Sequence, residues 1–173
     1  MALDANGSAG GLGILWNPNQ VSLTNFVASR NMLSGHFHIL GTSIRGVVTN
    51  VYGPFQLARK TAFLEEIRNM EEWVGEDYWL MGGDFNLIRS MEEKKGGIRV
   101  ITGTNHAFNR VIEDLHLVGI QTPNDFHTWQ NKRSRKRHIV SPLDRFLVLE
   151  SILSGEGDLG ACVMPGVATG QSA

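Results

Sequence analysis

Apolar and polar positions divide the chain of 173 residues into strand-like and helix-like stretches. "GGLGILWNP" (10–18) is a short apolar run closed by Asn-Pro, as in a strand that enters a turn. In "VSLTNFVAS" (21–29), Val21, Leu23 and Val27 alternate with polar residues, and Asn25 is the one lapse in a half-buried strand. "HFHILGTSIRGVVTNVYGP" (36–54) reads as two β segments, the second rich in β-branched residues and stopped by Gly53-Pro54. Together these predict consecutive, largely antiparallel strands. The period then changes. Phe63, Ile67, Met70 and Val74 form one apolar stripe among charged residues and predict a helix over 57–74. Phe108, Val111, Ile112 and Leu115 predict a second helix within 105–119, with Gly119 as its stop. Between the helices, "DYWLMGGDF" (77–85) is an almost unbroken apolar run, which suits a strand covered on both faces. "HTWQN" (127–131) and "PLDRFLVLE" (142–150) read as two further strands. Strands followed by alternating helices and strands predict an α/β sandwich. One domain is expected over 7–173, its tail from 151 to 173 rich in Gly, Ala and Ser and weakly ordered.

Composition changes this picture little. Apolar content of 42% and charged content of 19% are ordinary for a globular chain. A net charge of -1 gives no global pull toward nucleic acid, so such binding needs a local patch. The single cysteine, Cys162, excludes an internal disulfide. The opening "MALDANGSAGG" lacks the layout of a secretion signal, and no apolar run reaches membrane-spanning length. The expectation is a soluble intracellular protein, nuclear or cytoplasmic and not secreted, with no membrane partner.

Chemistry enters at "LMGGDFNLIRS" (80–90). Residues two apart on a strand face the same way, so Asp84 and Asn86 would share one space while Phe85 turns to the core. A carboxylate beside a carboxamide suits a hard cation and a phosphate or attacking water. Gly, Asp and Asn are also common turn formers, and a turn is the simpler reading of the stretch alone. Tyr52 ends a β-branched strand just before Gly-Pro, as a phosphate-binding phenol or an ordinary strand aromatic. Asp144 interrupts an apolar run, where a carboxylate is costly unless paired. "FHTWQN" places Thr128, Trp129 and Asn131 at one strand end.

Taken in order, "SAGGLGILWNP", "TNVYGP", "GGDFNLIRSMEEK", "FHTWQN" and "SPLDRFLV" resemble the endonuclease/exonuclease/phosphatase superfamily, which includes deoxyribonuclease I. The likeness is greatest to the endonuclease domain of plant LINE-type non-LTR retrotransposons. It implies a four-layered α/β/β/α sandwich of two mostly antiparallel sheets and Mg²⁺-dependent (or Mn²⁺-dependent) phosphoester hydrolysis. By motif, the resemblance implies that Asp84 aligns or activates the attacking water and serves as a metal ligand. Asn86 and Tyr52 would bind the scissile phosphate, and Asp144 would orient a catalytic histidine.

The chain departs from that pattern at both ends. The family's early strand with the principal metal-binding Glu has no counterpart here, so the fold is expected to be incomplete at the N-terminus. Near the C-terminus Thr169, Gly170 and Gln171 stand where the family carries Ser-Asp-His. Loss of groups that stabilise transition-state charge costs roughly 10²–10³ in rate each, so an impaired catalyst is expected. The loop "NKRSRKRH" (131–138) packs Lys132, Arg133, Arg135, Lys136 and Arg137 beside Asn131 and Trp129. It is a solvated hairpin loop, a nuclear-localisation segment, or a clamp on a DNA or RNA backbone, which salt would weaken. The alternatives to a DNA phosphodiesterase are a non-catalytic nucleic-acid-binding remnant and a phosphomonoesterase or inositol phosphatase.

Overall fold

The computed structural model describes residues 1–3, 11–75, 77–93, 101–120, 129–130, 140–141 and 143–153. Two short strands, β1 (Ala2–Leu3) and β2 (Leu12–Gly13), pair antiparallel. They are followed by β3 (Val21–Ala28), β4 (Met32–Ile39) and β5 (Arg45–Tyr52), an antiparallel meander. Helix α1 (Leu57–Val74) then crosses over to β6 (Tyr78–Asp84), which pairs parallel with β5. Helix α2 (Gly103–Asp114) leads into β7 (Leu117–Gly119), and β8 (Trp129–Gln130) pairs with β9 (Val140–Ser141). Strand β10 (Asp144–Leu149) inserts between β6 and β7, and α3 (Glu150–Leu153) is a single turn after it. The six-stranded sheet has the order β3-β4-β5-β6-β10-β7.

The two predicted helices both form, and both pack on the same sheet face. Phe63, Leu64 and Ile67 of α1 and Phe108, Val111 and Ile112 of α2 share one core with Val47, Val51, Trp79, Met81 and Leu147 of the strands. Those strand residues alternate with the ones facing away, as the pleat requires. Over the opposite face, Leu12 and Ile14 pack on Leu33 with Leu23 and Val48 alongside. The α/β class is therefore as expected, and among the described residues the second β layer consists of the short β1–β2 ladder.

Several boundaries differ from the sequence reading. The strand predicted over 10–18 shrinks to Leu12–Gly13, because only that piece finds a partner, in β1. Strand β4 begins at Met32 instead of 36; Ser34 and Gly35 have low strand propensity, but the Ser34 and Thr49 hydroxyls bond each other at 2.9 Å inside the sheet. The second helix stops at Asp114, and Leu117–Gly119 is a strand, so Gly119 is no helix stop. The break falls at His116, which has φ 50. The expected tail begins with the helical turn through Leu153, and its residues from 154 onward lie outside the described residues. Among the described residues no helix is long and apolar enough to cross a membrane.

Candidate active site

Three of the four residues singled out for catalysis fall on one register row. Tyr52 of β5 pairs with Asp84 of β6, and Asp84 pairs with Asp144 of β10. The parallel β5–β6 pairing makes this possible. Tyr52 and Asp84 are both the last residues of their strands, and β10 enters the sheet from that same end at Asp144.

The fourth, Asn86, is not on the strand. Strand β6 ends at Asp84, and Asn86 adopts φ 50-range backbone geometry (φ 51) in the turn beyond it. Its N–H donates to Asp84 Oδ1 at 2.7 Å, closing a side-chain turn of the kind short polar residues favour. Its side-chain amide donates to the Gly53 carbonyl at 2.8 Å and, over a longer 3.3 Å, to Asp84 Oδ2. The turn reading holds for these atoms, which lie beside the carboxylate row. Phe85 between them is buried, as expected, with its ring centroid 5.4 Å from that of Phe108 and 6.5 Å from that of Phe63. The Phe85 N–H also donates to Leu143 O at 2.9 Å, which ties the turn to the start of β10.

Glycine is required at two points here by close approach. A Cβ on Gly53 would lie 2.2 Å from the Phe85 carbonyl oxygen, and the Gly53 N–H bonds Asp84 O at 2.6 Å. Gly83 has φ 134, and a Cβ there would lie 2.1 Å from Val51 O. "YGP" and "GGDF" are therefore the two sides of one tight backbone contact.

Residues that the sequence reading passed over complete the surroundings. Lys60, in the first turns of α1, donates from Nζ to the Asn86 carbonyl at 2.6 Å. Asn31 grips the backbone of Tyr52 twice: its carbonyl accepts the Tyr52 N–H at 2.9 Å, and its amide donates to Tyr52 O at 2.7 Å. Asn50, one pleat back on β5, donates to Gly13 O at 2.8 Å and holds β2 against the sheet. Arg145 sends both terminal nitrogens to Glu93, and Nη2 also reaches Leu87 O at 3.3 Å. Glu93 in turn accepts the Arg89 N–H at 2.7 Å, while Asn105 and Asn109 of α2 donate to the Ile88 and Arg89 carbonyls. The segment after Asn86 is thereby pinned to α2 and to the strand that carries Asp144. Lys60 and Asn31 give no sequence signal beyond a helix-face lysine and a turn asparagine. Arg145 could have been found as the second charged residue breaking the same apolar run.

The electrostatics follow from burial and from two acids side by side. The Asp84 carboxyl is held above its ordinary range first by burial, with Asp144 adding to the effect; the Asn86 N–H and the Lys60 ammonium oppose it. Burial lowers the Lys60 ammonium, and Asp84 works against that shift. Two carboxylates on one row, with the half-buried Lys60 ammonium nearby, make a place where a divalent cation would relieve repulsion. Mg²⁺ commonly takes one or two carboxylates and keeps water or substrate phosphate for the rest of its shell, so Asp84 and Asp144 fit it. Among the described residues no group of three or more His, Cys, Asp or Glu side chains is placed to hold a metal. Of the predicted nucleic-acid contacts, Trp129 lies in β8, whereas Asn131, Lys132, Arg133, Arg135, Lys136 and Arg137 lie outside the described residues.

The fold is a deoxyribonuclease-I-like α/β fold. The chain is similar to the endonuclease domain of TRAS1, a telomere-specific non-LTR retrotransposon, at TM-score 0.59 and 16% identity over 76% of this chain and 58% of that one. It is also similar to a conserved protein of unknown function from Enterococcus faecalis V583, at TM-score 0.52 and 13% identity over 86% and 64% of the two chains. A third similar structure is TDP2 of D. rerio with a single-strand DNA product, at TM-score 0.50 and 9% identity over 78% and 56%. The chain thus spans between 56% and 64% of the length of these structures. No family model matches the sequence, and no curated protein matches it.

Proposed function

We propose that this domain binds a nucleic-acid phosphodiester at the Tyr52–Asp84–Asp144 row and hydrolyses it slowly with the help of Mg²⁺ or Mn²⁺. The observation that carries this reading is the single register row, which brings a phenol and two carboxylates from three separate strands to one edge of the sheet. The similar structures include a retrotransposon endonuclease and a protein crystallised with a DNA product, which favours DNA as the substrate class.

Asp84 and Asp144 would hold the cation. Bound there, it would supply charge neutralisation at the phosphate and a more acidic water. Asp84, with its raised proton affinity, is suited to orient the attacking water and take its proton. Tyr52, 38% exposed as a residue at the strand end, offers its hydroxyl to a phosphate oxygen. Asn86 keeps Asp84 in place through its backbone N–H, and its long 3.3 Å amide bond is the one a phosphate oxygen would replace. Lys60 anchors the turn and adds positive charge behind it. Turnover is slow in this reading because two carboxylates hold a cation weakly and because Gln171 stands where the resemblance expects an imidazole.

The test is incubation of the chain with supercoiled plasmid and Mg²⁺ beside Asp84→Ala, with DNA binding measured at two salt concentrations. Slow nicking that vanishes in Asp84→Ala or with a chelator is the expected result. Salt-sensitive binding with no nicking in either protein would leave a binding module and reject the hydrolytic part. Absence of both would reject the reading entirely.

A further inference from the structure

The helix-bearing face of the sheet turns polar at the end opposite the carboxylate row. Down β4 the residues on this face are Met32, Ser34, His36 and His38, and α1 covers them only as far as Trp73, whose ring lies 4.2 Å from that of His36. Beyond that contact, His36 and His38 pair across the sheet with Thr24 and Ser22 of β3, and His38 pairs with Arg45 of β5. These side chains and Asp77 line a pocket of about 190 Å³, well above the ~10–15 Å³ that a single water needs on the same measure. A β-bulge between Thr24 and Val27, with Asn25 at φ 50, bends the edge strand at the pocket rim.

The polar groups here are underused. His36 Nδ1 is shut off from solvent without a hydrogen-bond partner, which leaves Nε2 as the atom through which this ring can bond a ligand. His38 is fixed from behind, since its Nε2 donates to Thr42 O at 2.8 Å. The Arg45 side chain is 75% exposed and meets Asp77 through Nε at 3.5 Å, so among the described residues no acid faces the outer edge of its fork. Histidines with an aspartate could suggest a metal, yet among the described residues no three such groups are close enough to hold one. An arginine fork, an imidazole and two hydroxyls instead form a donor set for an oxyanion.

We propose that this pocket binds a phosphoryl group or a similar tetrahedral oxyanion, held by Arg45, His36 Nε2 and the hydroxyls of Ser22 and Thr24. The site is separate from the carboxylate row: seven residue steps along β5, or about 23 Å, separate Arg45 from Tyr52. Asp77 opposes the anion and keeps binding weak, which makes it the natural brake on affinity.

The experiment follows the imidazole signals of the whole chain by NMR as inorganic phosphate replaces chloride at constant ionic strength. His36 and His38 are assigned with His36→Gln and His38→Gln. Saturable shifts at both rings are expected. Arg45→Gln should weaken binding about tenfold or more, as loss of charge-assisted hydrogen bonds implies. Asp77→Asn should tighten it severalfold, a gain that misfolding cannot mimic. Asp84→Ala should leave it unchanged. A 5′-phosphorylated dinucleotide that binds tighter than phosphate would mark the natural ligand as a nucleotide, and equal affinity would mark it as free phosphate. Shifts that rise without saturation would overturn the proposal, as would affinity unchanged in both the Arg45 and Asp77 variants or lost in Asp84→Ala.

Discussion

Replacing Gly83 by alanine should damage stability far more than the same change at a glycine with open surroundings. The added Cβ would stand 2.1 Å from Val51 O and 2.9 Å from Val51 N, both backbone atoms of the neighbouring strand. A carbon needs about 3.3 Å from a carbonyl oxygen, so β5 and β6 must part by more than 1 Å where Val51 faces Gly83. Losing about two ladder hydrogen bonds costs around 2 kcal/mol, and forcing alanine to a φ of 134 adds about 2 more. The sum, about 4 kcal/mol, is a large share of the 5–15 kcal/mol that holds a typical domain together. With a urea slope of about 2 kcal/mol/M, the unfolding midpoint should fall by about 2 M. Gly75→Ala is the internal control. Gly75 has φ 63 at the end of α1 with nothing within 4 Å of a Cβ, so only its positive-φ backbone matters, at about 1–3 kcal/mol. A Gly83→Ala midpoint within about 0.5 M of wild type, or no lower than that of Gly75→Ala, would refute the claim that this close approach is obligatory.

The site and its clamp make further predictions. Because Asp84 is held above its ordinary carboxylate range, its ionisation destabilises the folded state, and stability falls as pH rises from that ordinary range through the raised value. In chelator, Asp84→Asn should therefore melt higher than wild type at neutral pH, with the difference closing in acid; a lower neutral melting temperature would contradict the argument. Arg145→Met strands Glu93, whose side chain is only 22% exposed, and should cost about 3 kcal/mol. The double variant Glu93→Leu with Arg145→Met should recover most of that loss, and a urea double-mutant cycle showing additive losses would remove the pair from the account.

Helix α1, the crossover strand β6 and the core stripes were legible because burial imposes a period on the sequence, as at Phe63, Ile67 and Val74. The motifs holding Tyr52, Asp84 and Asp144 stood out in the sequence, and the structure puts those residues in register on three adjacent strands. What those motifs could not convey is the pairing. Nothing local in "TNVYGP" or "GGDFN" says that β5 and β6 run parallel, since that depends on where α1 delivers the chain. The role of Lys60 was hidden for a related reason: a lysine on a charged helix ordinarily points to water, and only the packing of α1 brings this one to Asn86. Strand β4 was read short because Ser34 and Gly35 resemble loop residues until Thr49 supplies a partner across the sheet.

The placement of β10 carries a kinetic consequence. It is the last strand of the large sheet in chain order, yet it occupies an interior position, with β6 on one side and β7 on the other. Until it docks, those two neighbours have no hydrogen-bonding connection, and the ring of core residues that includes Leu147 stays open. Closure of the hydrophobic centre and delivery of Asp144 to its row are then the same late, long-range event, one that loop entropy makes slow.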